Sequence, residues 1–168
     1  MRDILARDFA EAAEKKRQAS IQKSKVEDEI VQFSKAYRAL IDDVEAWLKG
    51  LGDDCDVSTS SQARDIHDTI LGSVTTYRMD VFRISRDGKA IELLPLLWSG
   101  RPSDSKGVVT LGEAGVAVPL LVSLGDQSGW GTRRCWMSSR GLTAIEQATD
   151  FNAEIFYRVV KSVFFPKG

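Results

Sequence analysis

A chain of 168 residues with 43% apolar and 28% charged side chains has room for one domain plus an extension. Its formal charge of −1 excludes broad attraction to polyanions. Residues 1–51 carry ten basic and ten acidic side chains and residues 52–168 carry thirteen and fourteen, so neither part is polarised.

Two cysteines, Cys55 and Cys135, are too few for a disulfide scaffold, and with the single His67 they offer no zinc spacing. No metal or other cofactor is therefore expected. The first residues (Arg2, Asp3, Arg7, Asp8) lack the apolar core of a signal peptide, and no stretch nears the roughly 18 apolar residues of a membrane span. The expected location is the cytoplasm, with both thiols free.

The first 49 residues contain neither proline nor glycine and are rich in helix formers. Val26, Ile30, Phe33, Tyr37, Leu40, Val44, Trp47 and Leu51 recur at alternating steps of four and three, an apolar heptad that makes one helix need another. Extended backwards, the stripe runs through Lys23, Ala19, Lys16, Ala12, Phe9 and Leu5, with lysine interrupting it twice. The spacing predicts one helix from about Asp3 to Lys49, roughly 70 Å long at 1.5 Å per residue. Residues 1–51 are expected to serve as an oligomerisation element. Gly50 and Gly52 stop it, and 52–61 reads as a polar linker.

Residues 62–168 read as an α+β domain: a short helix, an antiparallel sheet of about five strands and a C-terminal covering helix. The short helix is expected over Gln62–Leu71, capped by Ser60 or Ser61, with Ala63, Ile66 and Ile70 on one face and Gly72 ending it. From Val74 the alternation of Thr75, Tyr77, Met79 and Val81 predicts a strand, and the shift to Phe82 and Ile84 suggests a bulge. Arg86-Asp87-Gly88-Lys89 predicts a hairpin, and Pro95 places the later half of the return strand, Ala90–Trp98, at an edge or a bend. Val108–Leu111, a central Val116–Leu124 with a bulge at Pro119, and Thr132–Ser138 complete the sheet. From Leu142 the texture is helical. Ile155, Phe156, Val159, Val160, Val163 and Phe164 form its apolar face, Asp150 or Asn152 its cap and Pro166 its end.

The order of segments resembles the GAF family of sensory domains over about residues 62–165. The segments are Tyr77-Arg-Met-Asp-Val-Phe-Arg-Ile-Ser-Arg-Asp-Gly88, Val109-Thr-Leu-Gly-Glu-Ala-Gly-Val116, Ala117-Val-Pro-Leu-Leu121 and Gly129-Trp-Gly131. The resemblance implies a signal-responsive module that transmits through paired helices. The family's pocket-lining insert between the Gly-Glu-x-Gly turn and the Val-Pro strand is missing here, so the resemblance implies a reduced pocket and transfers no binding residue.

No set of residues forms a catalytic constellation, so the chain is not expected to be an enzyme. His67 has Asp68 beside it and Asp65 two before, which do not share its face of the expected helix. Cys135 has Arg133, Arg134 and Trp136 as neighbours, but strand alternation turns it to the opposite face. The loop 125–131 lacks the Lys-Ser/Thr of a phosphate cradle. Trp98, Trp130 and Trp136, with Arg101, Arg133 and Arg134, fall at strand ends and loops, and Trp with Arg is the chemistry of binding hot spots. Trp98 and Trp136 also suit a core; Trp130, between two glycines, is the leading contact candidate.

The reading is a regulatory or interaction protein that forms a homo-oligomer, a dimer in the simplest case, through its first helix. Its α+β domain then binds a second macromolecule or a small signal. A nucleic-acid-binding protein using Lys15, Lys16, Arg17, Lys23 and Lys25, and a small enzyme using Cys135 or His67, are the alternatives. So is internal closure, in which the C-terminal helix covers the Val26–Leu51 stripe within one chain.

Overall fold

The computed structural model describes residues 1–52, 55–96, 105–115, 120–125, 130–133, 135–138, 141–144 and 149–167. Helix α1 spans Arg2–Gly50, matching the prediction from spacing. Leu51 follows it, and Gly52 turns the chain with φ of +85°, its N–H reaching back to the Lys49 carbonyl at 3.1 Å. A left-handed residue just past the helix is a glycine stop.

The strands are β1 (Ser58–Ile70), β2 (Ser73–Arg86), β3 (Lys89–Leu96), β4 (Ser105–Glu113), β5 (Leu120–Gly125), β6 (Trp130–Arg133), β7 (Cys135–Ser138), β8 (Gly141–Ala144) and β9 (Thr149–Asp150). Helix α2 (Ala153–Phe164) follows, and the Asn152 side chain accepts from the Ile155 N–H as its cap. Four long strands, β1–β4, start the antiparallel sheet, and three short ones extend it in the order β1-β2-β3-β4-β5-β6-β9. The α+β class with a long N-terminal helix and a C-terminal helix is as expected.

Several boundaries differ from the expected ones. Residues 62–70 are not a short helix but part of β1, and the strand takes in 58–61 of the expected linker. Ile66 and Ile70 lie four apart, a spacing that puts two side chains on one face of either a helix or a strand. The partner strand decides: Ile66 stands opposite Tyr77 and Ile70 opposite Ser73. Gly72 is therefore not a helix stop but half of a two-residue turn, with Leu71 at φ +50° and Gly72 at +80°. Positive φ at both positions is the backbone of a tight hairpin. The predicted hairpin at Asp87-Gly88 has the same form, with φ of +49° and +77°.

The expected bulge at Val81–Phe82 is absent, because β1 and β2 pair without a break from Ser58–Ser85 to Ile70–Ser73. What changes there is the partner. Before Phe82, residues 73–81 of β2 pair with β1 alone as a two-stranded ribbon, and from Phe82 onward β2 also pairs with β3. The ribbon buries Tyr77 and Met79 on one face, whereas Phe82 and Ile84 are buried on the other. Pro95 lies past this fork, paired with Val109 of β4, where a missing N–H interrupts no bond to β2. A register shift does occur in β4, between Ser105 and Gly107. The expected strand 132–138 divides into β6 and β7, which belong to different sheets, and the expected helix start at Leu142 is strand β8. The expected bulge at Pro119 lies outside the described residues.

Register places Phe82, Ile84, Ile91, Leu93, Val109 and Leu111 on one face of the sheet, all buried. The second half of α1 joins the same cluster through Val26, Phe33, Tyr37, Leu40, Ile41, Val44 and Leu48, and α2 through Phe156, Val160 and Val163. Phe33 lies so close over β4 that a Cβ on Gly107 would overlap its ring. Trp47 packs edge-on against Phe151 at 5.5 Å and against Phe156 at 5.7 Å, and the Tyr157 hydroxyl donates to the Trp47 carbonyl at 2.9 Å. From Val26 to Leu48 the stripe expected to meet another copy is thus covered by its own chain.

Candidate functional site

Helix α1 has two halves with different surroundings. From Val26 to Leu48 every step of the heptad finds an apolar neighbour, with Ile30 and Trp47 half-buried, and Leu51 beyond them exposed. Before Val26, every residue from Met1 to Lys25 except the half-buried Gln22 is exposed. The arm is tied to the domain by the Gln22 Nε2, which donates to the Leu71 carbonyl at the ribbon tip, 2.6 Å away. At 1.5 Å per residue, the arm is about 35 Å long.

The arm is not a plain solvated helix. Ile4, Leu5 and Phe9 are 59%, 51% and 72% exposed. Leu5 and Phe9 continue the apolar stripe, and Ala12 and Ala19 lie on it further along. Charge is segregated along the arm's length. Residues 2–14 hold two basic side chains against four acidic ones (Asp3, Asp8, Glu11, Glu14), whereas residues 15–25 hold five basic and none acidic. Arg17 is held by Glu14 through two hydrogen bonds of 2.9 and 2.7 Å, and with Gln18 it keeps the Glu14 carboxyl below the ordinary carboxylate range. Leu71 and Val74, the latter 87% exposed, add apolar surface at the ribbon tip beside Gln22.

Where α1 meets the sheet, the Tyr37 hydroxyl sits at the fork between β2 and β3. It donates to the Leu93 carbonyl at 2.9 Å and accepts from the Phe82 N–H at 3.1 Å. Phe82 and Leu93 are the last pair of the β2–β3 ladder, so the hydroxyl bridges a donor and an acceptor where the strands separate. Burial, and secondarily Asp80, pushes this phenol up to about 12, against the opposing pull of the Phe82 N–H. A groove of about 380 Å³ opens next to it, between Ser34, Arg38 and Ile41 of α1 and Ala63, Arg78 and Asp80 of the ribbon. Arg38 and Asp80 face each other across it at 3.9 Å.

The sequence-derived candidates fall as follows. Seven of the eight seam residues are brought together, but against their own sheet and α2, and the eighth, Leu51, is exposed. Trp98, Arg101 and Arg134 lie outside the described residues. Trp130 and Arg133 begin and end β6, and Trp136 is on β7; their side chains lie outside the described residues, as does that of Cys135. His67 is exposed on β1, its Nδ1 2.8 Å from the Thr76 hydroxyl. Asp68 does not face it; Asp68 accepts from the Tyr77 hydroxyl at 2.6 Å on the opposite face. No group of metal-ligating side chains occurs among the described residues, and no helix there is long and apolar enough to cross a membrane.

Two features escaped the sequence. One is the bridging role of Tyr37, which reads as one more seam residue. The other is Arg86, which reads as hairpin flank but borders a cavity. Comparison with protein-family models, curated proteins and solved structures finds no match to this chain.

Proposed function

We propose that this chain is a non-enzymatic interaction protein that pairs with a second copy through the arm at residues 2–25, and whose α+β domain engages a further macromolecule. The observation that carries the reading is the exposure of Leu5 and Phe9 on a stripe whose continuation is buried. Apolar residues exposed together on a helix without tertiary contacts are a cost unless something covers them.

The charges select the orientation. A parallel pair would set five basic residues beside the same five. An antiparallel pair sets the acidic stretch of one arm beside the basic stretch of the other, and opposes the two helix dipoles favourably. It also brings Phe9 towards Ala19 of the other copy, large against small, which lets the helices approach closely.

The exposed basic stretch favours one other reading, contact with nucleic-acid phosphates. Binding of a DNA or RNA oligomer that weakens steeply with salt would support it. The test of self-association is absolute mass by light scattering for the full chain and for a Leu5→Glu/Phe9→Glu variant. A dimer that becomes a folded monomer is expected. A wild-type chain that stays monomeric at high concentration contradicts the proposal.

A further inference from the structure

A cavity of about 540 Å³ lies where the end of α1, the start of β1 and the end of α2 converge. Its walls are largely apolar: Leu51, Val57, Tyr157, Val160 and Phe164. Two cations, Arg86 and Lys161, share the wall with no carboxylate among the lining residues described.

Arg86 is the unusual member. Its side chain is 22% exposed, and the Phe165 ring covers its guanidinium at 4.3 Å. Its Nε is buried and has no hydrogen-bond partner among the described residues. Asp87 stands 3.5 Å from that nitrogen, an ion pair too long for a good hydrogen bond, and its carboxylate is 80% exposed. That nitrogen has almost no accessible surface, so Arg86 meets the cavity through the rest of its side chain, and the Phe165 ring over the guanidinium lowers its solvation and strengthens its attraction for an anion. The nearby C-terminus of α2 would ordinarily repel an anion, but Lys89 Nζ already donates to the Val163 carbonyl at 3.1 Å.

We infer that this cavity binds a small organic monoanion with an apolar body, a carboxylate in the simplest case. The apolar part packs on Val57, Val160 and Phe164, and the carboxylate accepts from Arg86 with Lys161 at the mouth. The volume falls within the range of small-molecule sites, and an apolar wall with one or two placed charges is their usual chemistry. The inference goes beyond self-association through α1 and does not depend on it, since no lining residue belongs to the arm.

The test is titration calorimetry of the full chain with octanoate and with 1-octanol, which share a tail and differ in charge. Octanoate is expected to saturate one site per chain, and octanol to bind at least about tenfold more weakly, the equivalent of one charge-assisted hydrogen bond. Arg86→Gln should weaken octanoate by a similar factor and leave octanol unchanged. Lys161→Gln, at an exposed position, gives a smaller loss and serves as the second variant if Arg86→Gln fails to fold. No saturable octanoate binding, equal binding of octanol, or octanoate binding indifferent to both substitutions overturns the inference.

Discussion

Tyr37 shows how a single atom joins the helix to the sheet. Its hydroxyl satisfies one donor and one acceptor at the point where β2 and β3 part. Tyr37→Phe keeps the ring and removes both bonds, leaving the Phe82 N–H and Leu93 carbonyl buried. The expected loss is about 1–3 kcal/mol, read as a lower urea midpoint at unchanged slope. The same phenol gives a pH dependence. Its folded value, about 12, lies above the ordinary 10, so the native state holds the proton more tightly than the unfolded chain. That contribution is complete below pH ~10, fades as pH rises towards 12, and amounts to about 2–3 kcal/mol. Tyr37→Phe should flatten this part of the stability–pH profile. At the ribbon tip, Leu71 holds a positive φ that suits glycine or asparagine, and its side chain is exposed. Leu71→Asn should therefore raise stability by about 0.5–1 kcal/mol, measured by urea titration, with the Gln22 bond to the backbone carbonyl kept.

Within α1, sequence and surroundings separate at about Val26. Substituting Leu40 by Glu places a charge in the core of its own chain, so the expected outcome is an unfolded protein, not a folded monomer. Gly107→Ala brings a methyl group into the Phe33 ring and should cost about 1–3 kcal/mol, partly restored by Phe33→Leu, which gives the methyl room. The long helix, the Asp87-Gly88 hairpin and the apolar face of α2 were legible, because each rests on local chemistry: unbroken propensity, a turn dipeptide, helical spacing; the cap of α2 was legible only as Asp150 or Asn152, and its start was not. What covers the heptad was not legible, since an apolar stripe has the same form against a sheet as against a second helix. Ile66 and Ile70 misled for a related reason, because a step of four is common to both periods and the deciding contact with β2 is non-local. Arg86 gave no signal at all. Its meaning depends on α2 residues some seventy positions away arriving beside it.

At the scale of the whole molecule, α1 acts as a core helix over its second half and as a projecting arm over its first. Neighbouring segments of one unbroken helix thus meet different solvents, one apolar and one aqueous. The arm's exposed Leu5 and Phe9, with charges sorted along its length, are what the self-association proposal rests on. The cavity beneath α2 lies away from the arm and is available to a ligand whichever way the chains pair. The two halves of α1 should differ most clearly in amide hydrogen exchange followed at low and high protein concentration. The account predicts slow, concentration-independent exchange over the buried segment from Phe33 to Leu48, and protection over residues 5–20 that appears only as concentration rises. Protection of 5–20 that is the same at every concentration, or loss of protection at 33–48 on dilution, would contradict it.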